Sequence, residues 1–425
     1  MGHIGNSGGI LHTLAHFYWG IAIVIGVMLI TLAPIIAEHW LQGNELPQES
    51  IIRAVQLLGL VIACRWPIGL YTGALLGAER VDISSSINII MVAIANGGAI
   101  SILALLSPTI EAFFAWHACV GLVYALLIRH AAWAIIGRES ATAFNIKELQ
   151  SIAKFAAGMS AIGVTALVLT QIDKVILSKA LGLEDFGKYM LASVVVSSIY
   201  IVVTPVFNIV YPRFAALVAT SNTTQIENLY RFGTRMLSSI LFPIALTLIV
   251  FSTDLLNLWI RDDDLAKSIS PIIRLLAIGS ALHGVMHFQY ALQLAHGNTR
   301  LPLTINLILI AFLAPLIYYL VSHFGAIGGA GAWAILHCTY LILGTWMTHR
   351  HLLRGTASKW LFFDVGIPLI TSSAVAITTD QILRVMDATG PWRLVAGVVV
   401  LTLSVAGSLA TSSHFRSLVY SRIYK

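Results

Sequence analysis

Among the ionisable side chains inside apolar stretches of this 425-residue sequence, where such groups are rare, three cations and one carboxylate are candidates for chemistry. They are Arg65, Asp173, Lys174 and Arg274. Guanidinium and ammonium groups bind phosphate-type anions, and arginine does so with a two-pronged fork of N–H donors. A carboxylate in such a position is able to carry a proton or a sodium ion. The sequence therefore predicts an anion-binding site with Arg65, Lys174 and Arg274 as its cations, and an ion-coupling site at Asp173.

Arg65 is the strongest candidate because of its depth in the membrane. About 12 residues separate it from Arg53 on one side and from Gly77 on the other. At about 1.5 Å per residue it lies near the bilayer centre and cannot reach either face, so we expect it to face a hydrated cavity. The alternative is a structural ion pair with a carboxylate of another helix. Pro67 predicts a kink in the same helix.

The other three candidates also have structural interpretations. Asp173 and Lys174 are adjacent in the sequence, so their side chains leave a helix about 100° apart and are expected to face different neighbours. For Asp173 the alternative to ion coupling is an interfacial salt bridge that holds helices together. Arg274 lies about one turn inside its apolar stretch, so it either lines the cavity or snorkels to the headgroups as an anchor.

Membrane-spanning helices must position these residues. The chain is 58% hydrophobic and 10% charged, which leaves too little polar surface for a soluble protein of this size. Twelve apolar stretches approach the length of about 20 residues that crosses the hydrocarbon. They are residues 14–37, 54–76, 87–106, 112–128, 155–177, 189–210, 232–251, 272–294, 303–321, 326–347, 360–377 and 394–409. The sequence predicts an all-α polytopic membrane protein with about 12 transmembrane helices.

Short motifs at the ends of the stretches repeat after about 220 residues, as expected for a transporter with two repeat-related lobes. APIIAEHW, which ends at Trp40, resembles STDLLNLW, which ends at Trp259. GAER, which begins at Gly77, resembles GNTR, which begins at Gly297. Four early spans thereby match four later spans in the same order.

The repeat predicts three segments. Residues 1–137 form an incomplete N-lobe with four transmembrane helices, and residues 138–352 form a C-lobe with six. Residues 353–425 add two C-terminal transmembrane helices and a cytoplasmic tail. Since the four N-lobe spans match the seventh to tenth spans, two helices are expected to be missing from the start of the first lobe, either by truncation or by natural loss.

The basic residues predict the orientation in the membrane. Alternate loops on one side carry 15 of the 25 Lys and Arg with five carboxylates, and the other side carries seven with 12 carboxylates. By the positive-inside rule the first side is cytoplasmic, which places both chain ends there. The net charge of +6 is therefore a signal of topology, and we expect no nucleic-acid partner. Cys64, Cys119 and Cys338 lie in different stretches, so neither a disulfide framework nor a metal site is expected.

Three segments resemble bacterial O-antigen and capsule oligosaccharide flippases, which form the polysaccharide transporter family of the multidrug/oligosaccharidyl-lipid/polysaccharide exporter superfamily. They are RWPIGLYTGALLGAERVDISSSIN (65–88), QIDKVILSKALGLEDFGKYMLA (171–192) and TPVFNIVYPRFAAL (204–217). The resemblance extends from residue 14 to about residue 409.

The resemblance implies alternating-access transport of an oligosaccharide on a polyprenyl diphosphate carrier, from the inner to the outer leaflet of the bacterial inner membrane. It implies no enzymatic activity, no catalytic residues and no cofactor other than a coupled H⁺ or Na⁺. The implied partners are the lipid-linked oligosaccharide, membrane lipids and the polysaccharide polymerase or ligase machinery.

Two other functions are alternatives. A multidrug or small-molecule exporter of the same superfamily would have its carboxylates in a narrow, mostly apolar cavity without cations. A membrane-embedded polymerase or ligase would have a long outer loop with paired basic residues, and the predicted loops of this sequence contain none.

Overall fold

The computed structural model describes residues 7–39, 47–78, 80–137, 146–387 and 391–410, and within these ranges the chain forms helices and turns without a β-strand. A π-helical segment, Trp360–Gly366, precedes α13. The α-helices are α1 Ser7–His39, α2 Gln48–Arg65, α3 Ile68–Gly77, α4 Val81–Leu105, α5 Ile110–Ile136, α6 Ile146–Ala180, α7 Leu183–Ser197, α8 Tyr200–Ala219, α9 Thr223–Ile260, α10 Asp263–Ala295, α11 Arg300–His351, α12 Ala357–Lys359, α13 Ile367–Val385 and α14 Pro391–Ala410.

The described residues contain 11 helical segments that are long and apolar enough to cross a membrane. Large apolar side chains point outward from them: Ile89, Ile100 and Ile201 are 67%, 69% and 73% exposed. Such apolar surfaces are stable in contact with lipid tails. The predicted fold class, an all-α polytopic membrane protein, is confirmed.

The longest of these segments, α11, contains two crossings. Gly325 has φ 57° and ψ −135°, a backbone conformation that is essentially restricted to glycine. A side chain on Gly328 would overlap the carbonyl of Leu320. In a straight helix these two residues would be about 12 Å apart, so the chain must fold back on itself at Gly325. The two halves of α11 therefore correspond to the separate predicted stretches 303–321 and 326–347.

The contacts within the chain separate two compact units, Met1–Ala156 and Ala157–Lys425, here called unit 1 and unit 2. The predicted boundary between residues 137 and 138 lies beside residues 138–145, which are outside the described residues, as are Trp40 and the predicted cytoplasmic tail after residue 410. The sequence repeat, the division into lobes and the missing pair of helices stay predictions.

In unit 1, small residues allow close packing of the first helices. A Cβ on Gly26 of α1 would lie 2.9 Å from the Cβ of Ala63, and a Cβ on Gly59 of α2 would lie 2.8 Å from the Cβ of Leu29. Glycines at such crossings are typical of membrane helices, because packing between backbones replaces the hydrophobic effect that lipid cannot supply.

The predicted kink at Pro67 is confirmed. Helix α2 ends at Arg65 and α3 begins at Ile68, so Pro67 lies in the two-residue break between them. Proline has no N–H to donate to the carbonyl four residues earlier, which interrupts the helix at this point. Arg65 is consequently the last residue of α2 and lies at the edge of a helix break.

In unit 2, α10 is the central helix. In its apolar segment 72% of the residues are buried, whereas the buried share is 50% in α9 and lower in the other described spans. Helices α7, α8, α9 and α11 pack around it. The predicted span 189–210 differs from the structure, because α7 ends at Ser197 and α8 begins at Tyr200, so the apolar stretch belongs to two consecutive helices.

Two groups of ion pairs join α9 to the C-terminal helices of unit 2. At one end, Arg231 Nε lies 2.9 Å from Asp364 Oδ2 in the π-helical segment. At the other end, the Arg393 guanidinium contacts Asp254 of α9 at 3.0 Å and Asp380 of α13 at 3.2 Å. We call these groups the Asp364 clamp and the Arg393 clamp.

Candidate functional site

Arg65 is positioned by two residues of α5. Its side chain is exposed, and its Nη2 lies 2.9 Å from Nδ1 of the buried His117. A guanidinium can only donate, so Nδ1 of His117 is the acceptor and the proton of this neutral imidazole is on Nε2. One turn along α5, a Cβ on Gly121 would lie 3.0 Å from Cγ of Arg65, so the glycine leaves room for the arginine stem.

Within the described part of the chain, no carboxylate forms an ion pair with Arg65. The contact to His117 is with a neutral group, so the positive charge remains uncompensated. An uncompensated charge in the middle of a span is stable only where water or a polar ligand reaches it. Within the described residues, the contact with His117 thus positions Arg65 and leaves other N–H donors of its guanidinium available to an anion.

Asp173 and Lys174 contact each other, contrary to the expectation that they diverge. Asp173 on α6 is 3% exposed, and its Oδ2 accepts a 2.5 Å hydrogen bond from the Tyr189 hydroxyl of α7. Lys174 folds back along α6, where its Nζ donates to the carbonyl of Thr170 at 2.8 Å and lies 3.5 Å from Asp173 Oδ1. The length and flexibility of the lysine side chain explain the contact. Asp173 thereby connects α6 with α7, and the roles of Asp173 in ion coupling and of Lys174 in anion binding stay predictions.

Arg274 lies on α10, and its side chain is exposed. Its Nε donates to Oγ of Ser252 on α9 at 3.3 Å. It forms no ion pair with a carboxylate of the described residues. The structure thus brings Asp173 and Lys174 together, whereas Arg274 is held at a separate point of unit 2 and Arg65 belongs to unit 1. The role of Arg274 as a cavity cation stays a prediction.

Unit 2 also contains a cavity that the sequence did not reveal. It has a volume of about 190 Å³ and lies between α6, α10 and α11. Its polar lining residues are Thr170, His283, His287, Tyr290, Asn306, His337 and Tyr340. The spacing of His283 and His287, four residues apart on one helix, is the signal that could have revealed it. No spacing rule connects either residue with His337.

The comparisons with known proteins agree with this architecture. A family model described as "Polysaccharide biosynthesis protein" matches residues 10–262. A Shigella flexneri protein to which O-antigen transport has been ascribed is 22% identical over 320 residues, which is 73% of each chain.

Solved structures share the fold. The lipid II flippase MurJ in an inward closed conformation gives a TM-score of 0.71 at 13% identity, over 99% of this chain and 85% of MurJ. An outward-facing multidrug resistance transporter of the MATE family gives a TM-score of 0.54 at 13% identity, over 84% of each chain. Since the family model matches more than half of the sequence, this chain belongs to the polysaccharide biosynthesis protein family.

Proposed function

We propose that this protein translocates a polyprenyl-diphosphate-linked oligosaccharide across the bacterial inner membrane by alternating access, during the synthesis of O-antigen, capsule or exopolysaccharide. The observation that carries the proposal is the Arg65 guanidinium, exposed at a helix break in the middle of a span and held by the neutral His117. The O-antigen transport ascribed to the Shigella relative and the lipid II flippase activity of MurJ support the same substrate class.

The chemistry of the substrate explains why an arginine is needed. The carrier joins a large polar glycan to long apolar tails through an anionic diphosphate. A protein that moves it must keep the diphosphate and the glycan out of the hydrocarbon while the tails stay in lipid. The guanidinium is charged at every physiological pH and matches phosphate oxygens with two parallel N–H bonds. In this proposal Arg65 binds the diphosphate, Arg274 and Lys174 supply further positive charge, and membrane lipids surround the tails.

A multidrug or small-molecule exporter is the second candidate, and the likeness to the MATE transporter favours it. Polysaccharide polymerase or ligase activity has weaker support, because the relatives are transporters and flippases. Such enzymes are instead proposed as partners that use the translocated glycan.

Reconstitution of the full chain tests the function. Proteoliposomes carry a radiolabelled polyprenyl-diphosphate oligosaccharide in both leaflets, and a glycosidase added outside can digest only the outer leaflet. We expect digestion to stop at the outer pool in protein-free vesicles and to continue to completion when the protein is present. Efflux of a cationic dye without any movement of the glycolipid would instead establish the exporter.

The proposed orientation, with both ends in the cytoplasm, is tested by labelling. Cys64, Cys119 and Cys338 are first replaced. Asn222→Cys and Asp263→Cys then lie beyond opposite ends of α9, whose 38 residues span at most about 57 Å with a kink at Phe251. We expect a membrane-impermeant thiol reagent to label Asp263→Cys in intact cells and Asn222→Cys only after permeabilisation. Labelling of both from one side would contradict the topology.

A further inference from the structure

Three imidazoles converge on the cavity of unit 2. The ring centroid of His283 lies 4.9 Å from that of His287, one turn along α10, and 4.7 Å from that of His337 on α11. All three line the cavity. We call them the imidazole cluster. The three histidines lie on two membrane-spanning helices. Ionisable side chains within such helices are rare and usually mark a functional site.

The hydrogen bonds of the cluster leave basic nitrogens available. His287 Nδ1 lies 3.0 Å from the carbonyl of His283, and His337 Nδ1 lies 2.9 Å from the carbonyl of Trp333. A carbonyl only accepts, so both Nδ1 atoms carry protons and donate. In the neutral rings the lone pair is then on Nε2. His283 Nδ1 is 2.7 Å from the hydroxyl of Tyr200, which can donate or accept.

Among the described residues that line the cavity, no fixed charge compensates the cluster. The titratable groups that face it are Tyr200 from α8, Tyr290 from α10 and Tyr340 from α11, in addition to the three histidines themselves. Helix α6 contributes only Ala166, Leu169 and Thr170 to the lining, and α7 and α9 contribute nothing to it. The described lining therefore contains no Asp, Glu, Lys or Arg. A second positive charge about 5 Å from the first would be strongly repelled, so the cluster has room for one proton beyond its neutral state.

A metal ion is a poorer fit than a proton. Within the described part of the chain, no group of three His, Cys, Asp or Glu side chains has the arrangement that a metal requires. Imidazole is also the side chain whose charge changes most readily in the physiological pH range.

We propose that the imidazole cluster is a proton-binding site and that its protonation is coupled to the transport cycle. A hydronium ion delivers the proton to an Nε2 lone pair, which changes the charge of the cluster from zero to +1, and a water molecule removes it later in the cycle. The conformation described here, with His337 buried, His283 and His287 half-buried and no counter-charge in the described lining, is the neutral state. Proton binding does not depend on the identity of the substrate, whereas the coupling rests on the proposed function.

Trp333 provides a spectroscopic signal for the first part of the proposal. Its ring centroid lies 4.2 Å from that of His337, and its Nε1 donates to Ser280 Oγ at 3.2 Å. A protonated imidazole beside an indole quenches its fluorescence, because it accepts an electron more readily than the neutral ring.

Proton binding is measured on the detergent-solubilised full chain, as the fluorescence difference between wild type and Trp333→Phe. We expect this difference to decrease between about pH 8 and about pH 4. In His337→Gln and in His287→Gln we expect the decrease to be reduced or shifted by more than in His349→Gln. His349 is the matched control, because it is also buried on α11 and its Nδ1 likewise donates to a carbonyl one turn earlier, but it does not line the cavity.

Coupling is measured in the glycosidase assay with an imposed pH gradient. The gradient should accelerate glycolipid movement several-fold in wild type and in His349→Gln, and the acceleration should be lost in His287→Gln and His337→Gln. Size-exclusion profiles identify any variant that fails to fold. A Trp333-dependent signal without pH dependence would overturn the proton site, and acceleration retained in both cluster variants would overturn its coupling. Absence of glycolipid movement in wild type would contradict the proposed function and leave the fluorescence test of the proton site valid.

Discussion

Arg65→Ala is expected to abolish glycolipid translocation while the amount of protein in the membrane stays near that of wild type. Arg65 forms no ion pair within the described residues and is exposed, so its removal strands no buried carboxylate there. A charged hydrogen bond contributes about 1.5–3 kcal/mol, so diphosphate binding should weaken by about 10- to 150-fold. The measurement is the initial rate of glycolipid digestion in proteoliposomes with equal amounts of protein.

Two further variants make this test specific. Arg65→Lys should recover part of the rate, because lysine keeps the charge and loses the two-pronged fork. Arg53→Ala is the matched control, since Arg53 lies on the same helix. Its ion pair with Glu49 is exposed, and such pairs contribute no more than about 1 kcal/mol to stability. Full activity of Arg65→Ala would refute the anion-binding role. Loss of the protein from the membrane would support the structural ion-pair alternative.

Asp364→Ala is expected to produce the largest loss of stability. Asp364 is 4% exposed and binds Arg231, which is 33% exposed, so the substitution leaves a partly buried guanidinium without its carboxylate. Breaking a buried ion pair on one side decreases the free energy of unfolding by about 3–5 kcal/mol, and the partial exposure of Arg231 favours the lower value. The fraction of protein that remains monodisperse in detergent after heating measures the effect.

Asp82→Ala is the matched control for this substitution. Asp82 pairs with Arg80 at 3.0 Å, but the two side chains are 65% and 44% exposed, so its loss should leave the thermal stability close to that of wild type. The double variant Arg231→Met with Asp364→Leu should recover most of the stability, because it removes both charges and keeps an apolar contact. Equal thermal behaviour of Asp364→Ala and Asp82→Ala would show that the Asp364 clamp does not stabilise unit 2.

The membrane-spanning fold could be predicted because hydrocarbon thickness sets a minimum length for every apolar stretch. The kink at Pro67 was predictable for a similar reason, since it follows from a missing N–H. The same rules gave a single span at 189–210, because the break between Ser197 and Tyr200 interrupts an apolar run without a change in composition.

For the candidate site, the sequence could predict the positions of single residues but not which residues contact each other. The depth of Arg65 follows from counting residues along one helix. Its partner His117 is 52 residues away, and helix packing alone brings the two together. The imidazole cluster likewise requires α10 and α11 to be adjacent. Asp364 illustrates the same limit, because its position about one turn into a span suggests the headgroup region, whereas the fold buries it against Arg231.

The two clamps on α9 restrict how unit 2 can move. Arg231 and Asp254 are 23 residues apart on α9, which is at most about 35 Å because the helix is kinked at Phe251, and this distance is comparable with the hydrocarbon thickness. A body fixed at two points keeps one degree of freedom, rotation about the line that joins them. Between the clamps, the buried Phe251 packs with Ala376 of α13 and Val400 of α14, and this contact opposes that rotation. Helices α9, α13 and α14 should therefore tilt together as one rigid plate during transport, with the bending confined to other helices.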